Sequence, residues 1–150
     1  MVSNALRILS GLLLLSFTLL GRAEDGQPKL PTTRLNAGIH NIAAEVARTP
    51  DQRASGLMLR KTMGANEGML FMFEDAGVQC FWMKNTLLPL SIAFIADDGT
   101  IANIADMKPQ ALDSHCSAKP VRYALEMNQG WFAKRGIKAG ARLQGAPFRP

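Results

Sequence analysis

The sequence is divided into short apolar segments separated by tight turns, and this pattern limits the possible folds more than any other feature. In the segment 40–47, Ile42, Ala44 and Val46 share one face by the two-residue period of a strand. The dipeptide Asp98-Gly99 predicts a hairpin between two such segments. We predict strands at residues 32–36, 40–47, 69–73, 78–85, 90–97, 100–106, 121–127 and 142–144.

A strong helix signal occurs once. Thr49 is a suitable N-cap, Pro50 fits the first helical position and Asp51 places an acid in the first turn. We therefore predict a helix from Pro50 to about Leu59, and a short second helix after Asn128. Since no predicted strand leads into a glycine-rich turn and a long helix, a nucleotide-binding α/β fold is not expected. The predicted fold class is α+β, with an antiparallel sheet curled toward a barrel and one or two short helices.

The first residues have the pattern of a secretory signal peptide. Arg7 precedes an apolar run at 8–20, and Gly21 and Ala23 place small side chains at the −3 and −1 positions of a cleavage site. The alternative is a retained membrane anchor, but the run is shorter than the roughly 20 residues that span a bilayer. We predict a signal peptide at 1–23, a linker at 24–31 and one domain at 32–150. The mature protein is then periplasmic or secreted, without a membrane span.

The charge of the chain does not indicate a nucleic-acid partner. The 17 Lys and Arg residues exceed the 12 Asp and Glu residues, and two of the arginines fall in the predicted signal. The remaining excess is small and scattered along the chain. After Glu126 the sequence has only basic charged residues, which are Lys134, Arg135, Lys138, Arg142 and Arg149. They form either a patch for an anionic lipid, glycan or substrate, or an ordinary solvated end, the interpretation we prefer.

Two cysteines, Cys80 and Cys116, lie in the predicted mature chain. An even number of cysteines in an oxidising compartment favours one disulfide. A bond between Cys80 and Cys116 would close a loop, and the resulting loss of chain entropy in the unfolded state gives an estimated stabilisation of about 4 kcal/mol. Two free core thiols or a pair of metal ligands are the competing interpretations.

Four stretches together resemble the bacterial and archaeal domain-of-unknown-function family 192. They are RASGLMLR from Arg53, GMLFMF from Gly68, FWMKNTLLPLSIAFIADDGTI from Phe81 and PVRYALEMNQGW from Pro120. The resemblance extends from about Glu45 to the C-terminus. It implies a small, sheet-rich α+β domain that is often exported, and it implies no established enzyme activity. A disulfide does not follow from the resemblance.

Three polar residues, Lys84, Asn85 and Thr86, interrupt the most apolar segment of the chain. A lysine stem beside Trp82 can lie along the indole ring with its ammonium at an edge. Because a buried lysine needs a carboxylate, we predict that Lys84 pairs with Glu126. We also expect Asn85 and Thr86 to bond to the backbone where the strand ends.

Two interpretations of this polar cluster remain open. In the first, the cluster is structural: it ends a strand and fixes the register of that strand. Asp97 is the second candidate partner of Lys84, after Glu126. In the second, the cluster lines a ligand cleft together with Arg53 and Glu126. Arg53 and Arg60 are themselves either anion ligands with forked geometry or residues that hold loops in place.

Conventional hydrolase and metal chemistry have weaker support. No G-x-S-x-G motif frames a serine, and His40 and His115 lack the spacing of a triad or a metalloprotease. Soft thioethers together with His115 and Cys116 would suit copper(I). However, several methionines occupy positions expected to fill the core, namely Met58, Met69, Met83 and Met127.

The sequence therefore predicts an exported, non-catalytic binding or accessory module. It would be a monomer without a cofactor, and it would recognise a small polar or anionic ligand or a partner in the cell envelope. A competing hypothesis is an enzyme of unrecognised type that uses Lys84 and Glu126 as an acid–base pair. Two further hypotheses are a soft-metal (copper) binding protein and a purely structural interaction protein.

Overall fold

The computed structural model describes residues 27–148. The predicted signal peptide, part of the predicted linker and Arg149 lie outside these residues. Helix α1 spans Pro50–Ser55, and a 3-10 helix spans Ala133–Arg135. The strands are β1 (Thr32–Ala37), β2 (His40–Ala47), β3 (Glu67–Gly77), β4 (Cys80–Phe81), β5 (Leu90–Ile95), β6 (Ile101–Met107), β7 (His115–Cys116), β8 (Val121–Asn128) and β9 (Leu143–Gln144).

Seven strands form one sheet in the order β6-β5-β8-β3-β2-β1-β9. Neighbouring strands are antiparallel except β2 and β3, which are parallel and are connected through α1. The remaining strands, β4 and β7, pair only with each other. The predicted strand at 69–73 is confirmed as part of β3, which lies in the middle of the order.

The sheet is curled, and its two edge strands meet at one end. Near the start of β6, the Ile101 amide donates to the Ala141 carbonyl over 2.8 Å. Beside β9, the Leu143 amide donates to the Gly99 carbonyl over 2.9 Å. The predicted curled sheet is confirmed, but "α+β" overstates the helical part. Within residues 27–148 the helices amount to six residues of α1 and a three-residue 3-10 turn.

Helix α1 begins as predicted and ends early. Thr49 and Gln52 form a capping box, in which the Gln52 amide donates to the Thr49 hydroxyl and the Gln52 side chain accepts from the Thr49 amide. The prediction of a helix to Leu59 was wrong, since the chain leaves the helix at Gly56, where φ is 46°. The departure brings Leu57, which is 2% exposed, into the core.

The sheet packs apolar residues on both faces. One core cluster contains Leu70, Leu125, Met127, Trp131 and Phe132, among others. The other contains Met69, Phe71, Ile92, Phe94 and Ala124, among others. Alternate residues of β8 thus face different clusters, as the two-residue period of a strand requires. Its segment 123–127 is buried throughout, and this explains why the sequence there is almost continuously apolar.

The predicted disulfide between Cys80 and Cys116 is confirmed. The two residues are directly opposite one another in the β4–β7 pair, and both are exposed. Their bond therefore ties two short strands that are outside the main sheet. Cys116 is consequently not available as the thiolate ligand that the copper hypothesis invoked.

Candidate functional site

A cleft of about 260 Å³ opens between the C-terminal end of α1 and β4. We name it the Glu126 cleft after the residue of β8 that lines it. Its other principal lining residues are Arg53, Phe71, Phe73, Phe81, Trp82 and Thr86. It thus contains three of the predicted site residues, which are Arg53, Thr86 and Glu126.

Glu126 lies in the centre of the sheet. It is opposite Met69 on β3 and Ile92 on β5, both of which are fully buried apolar residues. The glutamate is 5% exposed. No residue within 27–148 forms a hydrogen bond or an ion pair with its carboxyl group. Burial raises the pKa of Glu126 to about 8, so the group is mostly neutral at pH 7.

Aromatic rings form the apolar wall of the cleft. Phe81 lies edge-to-face against Phe71, with ring centroids 4.9 Å apart, and against Phe73 at 6.3 Å. It also contacts Phe94 of the core, with ring centroids 5.9 Å apart. Edge-to-face contacts of this kind fix ring orientations, so the wall has a defined shape without a ligand.

Arg53 is held at the cleft by its neighbours. One guanidinium nitrogen, Nη1, donates to the Arg48 carbonyl and, over 2.9 Å, to the Met72 carbonyl. The guanidinium carbon lies 5.0 Å from the centre of the Phe73 ring. The donors on Nε and Nη2 have no partner within residues 27–148. Arg53 therefore brings a fixed positive charge with unused hydrogen-bonding capacity to the cleft.

The predicted ion pair between Lys84 and Glu126 was wrong. Lys84 is exposed, and its ammonium lies 5.2 Å from the centre of the Trp82 ring, as the sequence suggested for a lysine beside that tryptophan. The pair fails because the predicted strand 78–85 is confined to β4, at Cys80–Phe81. A tight turn follows β4, so the alternation of a strand no longer applies to the side chain of Lys84.

Asn85 and Thr86 do contact the backbone at this turn. Asn85 has a φ of 55°, and its carbonyl accepts from the Leu59 amide over 2.8 Å. Thr86 is buried, and its hydroxyl donates to the Lys84 carbonyl over 3.3 Å. The expectation is confirmed for the Thr86 side chain. The contact of Asn85 is made by its main-chain carbonyl, and Asn85 does not line the cleft.

Arg60 belongs to a different environment. It is 3% exposed and forms a forked ion pair with Glu45, at 2.6 Å from Nη1 to Oε1 and 2.7 Å from Nη2 to Oε2. Burial alone would raise the pKa of Glu45. The hydrogen bonds from Arg60 and the Leu30 amide and the charges of Arg60 and Lys29 outweigh this effect and lower the pKa below its usual value. Arg60 is therefore an internal partner of Glu45, away from the Glu126 cleft.

Some residues of the cleft escaped the sequence reasoning. Phe71 and Phe73 were expected in a strand, but nothing in their spacing indicated that they face a cleft. Gln79, which also lines the cleft, had no motif around it. For the buried partner of Arg60, the sequence did contain a signal. Glu45 is an acid within the apolar segment 40–47, just as Glu126 is an acid within an apolar strand.

A second depression of about 570 Å³ lies beside the 3-10 helix and β6. Its buried serine, Ser91, donates to the Asp106 carboxylate and accepts from the Gly130 amide. The Ser91 hydroxyl and the Asp106 carboxylate thus have internal partners, unlike the carboxyl group of Glu126. Within residues 27–148, no group of three or more His, Cys, Asp and Glu residues is arranged to hold a metal ion. The same part of the chain contains no helix with the length and apolar character that a membrane crossing requires.

Comparison with known proteins identifies the family. The profile of DUF192, described as "Uncharacterized ACR", matches residues 32–145. The chain belongs to this family. The resemblance noted in the sequence is therefore confirmed, and the DUF192 match includes the whole Glu126 cleft. No curated protein matches this sequence.

Two solved structures are similar to this DUF192 chain. A proposed transcription regulator from Sinorhizobium meliloti 1021 is 39% identical with a TM-score of 0.76, over 81% of this chain and 98% of its own. A protein of unknown function from Novosphingobium aromaticivorans DSM 12444 is 35% identical with a TM-score of 0.72, over 82% of this chain and 89% of its own.

Proposed function

We propose that this protein is an exported, non-catalytic binding module whose Glu126 cleft holds a small ligand with an apolar body and a polar group. The observation that carries the proposal is the buried carboxyl of Glu126, which lines a cleft and has no partner within residues 27–148. A buried polar group without a partner lowers the free energy of unfolding. A bound ligand that forms a hydrogen bond with this carboxyl group would offset that cost.

The cleft supports binding better than catalysis. Among the described residues that line it, Arg53 and Glu126 are the only ones with an ionisable side chain. Lys84, the other half of the acid–base pair in the enzyme hypothesis, does not line it. The basic residues of this chain are scattered and do not support for it the regulator role proposed for the Sinorhizobium relative.

The export part of the proposal depends on the signal pattern at 1–23. If the signal is cleaved after Ala23, the mature protein begins at Glu24. Mass spectrometry of the protein from a periplasmic extract tests this. A full-length mass confined to the membrane fraction would instead favour the retained anchor.

A thermal-shift screen tests the binding role. The processed protein is heated with small acids, amides, amines and sugars, and hits are repeated on Glu126→Gln. A ligand at 100 times its Kd adds about 2.7 kcal/mol to the free energy of unfolding, or several degrees in Tm. We expect hits to shift the wild type and the control Glu74→Gln, which alters an exposed glutamate, but to shift Glu126→Gln much less. Hits that shift all three proteins equally would contradict the proposal, as would a screen without hits.

A further inference from the structure

The charges around the Glu126 cleft limit the class of ligand. Arg53 lies over Phe73, and Lys84 lies over Trp82, so two of the four rings that line the cleft already have a cation against them. An organic cation in the cleft would meet these two positive charges and would have to compete for the ring faces. An anion would meet attraction from both.

The hydrogen-bonding groups of the cleft point to the same class. Arg53 offers the donors on Nε and Nη2, and its planar guanidinium suits a carboxylate. Gln79 lines the cleft, and its side-chain amide has no hydrogen-bond partner within residues 27–148. Because burial keeps Glu126 mostly neutral at pH 7, its O–H group is a further donor. The cleft thus presents mainly donors, which a ligand rich in acceptors would satisfy.

The size of the cleft sets the scale of the ligand. An apolar cavity of roughly 150 Å³ can hold benzene. The volume of about 260 Å³ therefore accommodates one aromatic or branched apolar group together with a short polar arm.

We infer that the ligand is a small organic carboxylate with an aromatic or branched apolar body. Its carboxylate lies against Arg53, and its body lies against Phe71 and Phe81. The O–H group of Glu126 donates a hydrogen bond to an oxygen of the same ligand. This inference rests on the proposed function of the Glu126 cleft as a binding site.

Three probes of similar size and different charge test the inference. Binding of phenylacetate, phenylacetamide and 2-phenylethylammonium to the processed protein is measured by calorimetry at pH 6.5. We expect phenylacetate to bind roughly tenfold more tightly than the neutral amide and the cation to bind most weakly, as a charge-assisted pair with arginine predicts. Raising the salt from about 0.02 to about 0.3 M should weaken phenylacetate binding and leave the amide unchanged.

Variants of Arg53 test whether the preference for a carboxylate ligand depends on this arginine. Arg53→Gln should remove the preference for phenylacetate over phenylacetamide, and Arg53→Lys should keep part of it. Arg48→Gln is the matched control, since Arg48 is exposed and contacts Arg53 only through its carbonyl. If Arg53→Gln does not fold, the salt dependence of phenylacetate binding to the wild type tests the same charge effect.

The outcomes separate the inference from the proposed function. If phenylacetamide or the ammonium probe binds as tightly as phenylacetate, and binding is lost in Glu126→Gln, the cleft is a binding site and the carboxylate inference is overturned. If phenylacetate binds without dependence on Arg53 or salt, the inference is also overturned. If no probe binds and the broader screen has no hits, both the inference and the proposed function fail.

Discussion

Two buried glutamates of the same chain show how partners decide the role of a residue. Glu45 accepts two hydrogen bonds from Arg60 and one from the Leu30 amide, and its pKa is lowered. Glu126 has no such partner within residues 27–148, and its pKa is raised to about 8. A buried carboxylate with internal partners belongs to the structure of the fold, whereas a buried carboxyl group that faces a cleft without a partner is available to a ligand.

The raised pKa of Glu126 predicts a pH-dependent stability. Between the ordinary value of 4.5 and about 8, the unfolded chain loses this proton and the folded chain keeps it. The free energy of unfolding therefore falls as the pH rises through this window. The facing residues on β3 and β5 are the apolar Met69 and Ile92. Among residues 27–148, Arg53 is the only other cleft-lining residue with an ionisable side chain.

Denaturant unfolding of the wild type and Glu126→Gln at pH 4.5, 6 and 8 measures this effect. The variant lacks the titrating group, so its stability relative to the wild type should increase across the series by on the order of 4 kcal/mol. Glu74→Gln, at an exposed position, should follow the wild type. Parallel curves for the wild type and Glu126→Gln would show that Glu126 keeps its ordinary pKa.

At the scale of elements, a turn explains the polar cluster in the apolar segment. The Thr86 amide donates to the Met83 carbonyl over 3.0 Å and closes this turn. Two hydrogen bonds attach the loop at 110–111 to this turn. The Met83 amide donates to the Ala111 carbonyl, and the Gln110 amide donates to the Thr86 carbonyl. The turn thus buries Met83 and Thr86, and leaves Lys84 and Asn85 exposed. It also supports the Trp82 side of the Glu126 cleft.

The left-handed conformation of Asn85 predicts which substitutions the turn tolerates. At a φ of 55°, glycine and asparagine are acceptable, but a β-branched residue is strained by roughly 1–2 kcal/mol. We expect Asn85→Gly to unfold at nearly the same denaturant concentration as the wild type and Asn85→Val to unfold earlier. The same loss in both variants would mean that the asparagine side chain, rather than the backbone conformation, is needed.

At the scale of the whole molecule, the contact between the two edges of the sheet limits which residue can occupy position 99. Gly99 follows β5 with a φ of 86°, and a Cβ there would lie 2.3 Å from the Leu143 carbonyl oxygen. The close approach permits the hydrogen bond from the Leu143 amide to the Gly99 carbonyl. Position 99 therefore requires a glycine if the β9 end of the sheet is to pack against the β5–β6 hairpin.

Comparing two glycines isolates this contact. Gly38 also has a positive φ, of 58°, but a Cβ there would meet nothing within 4 Å. Gly38→Ala should cost about 1 kcal/mol from backbone strain alone, and Gly99→Ala should cost at least about 1 kcal/mol more because it clashes with backbone. Faster hydrogen exchange at the Leu143 and Ile101 amides in Gly99→Ala would locate the damage. Equal losses in the two variants would contradict the role of this closure.

Local patterns in the sequence determined much of the architecture. The two-residue periods, the capping signals at Thr49 and the Asp98-Gly99 turn predicted the main strands, the start of α1 and the β5–β6 hairpin. These features depend on neighbours in the chain, and the structure agrees with them. The family also followed from the sequence, because its motifs are contiguous stretches.

Tertiary structure decided the end of α1, the turn after Phe81 and the composition of the site. The helix ends where Leu57 enters the core, and the predicted strand 78–85 is short because its only partner is the two-residue β7. Glu126 was expected to pair with Lys84 and has no such partner within residues 27–148, whereas Arg60, for which two roles were open, pairs with Glu45. Whether a buried polar group is satisfied depends on side chains that are distant along the chain, and only the tertiary structure brings these together or keeps them apart.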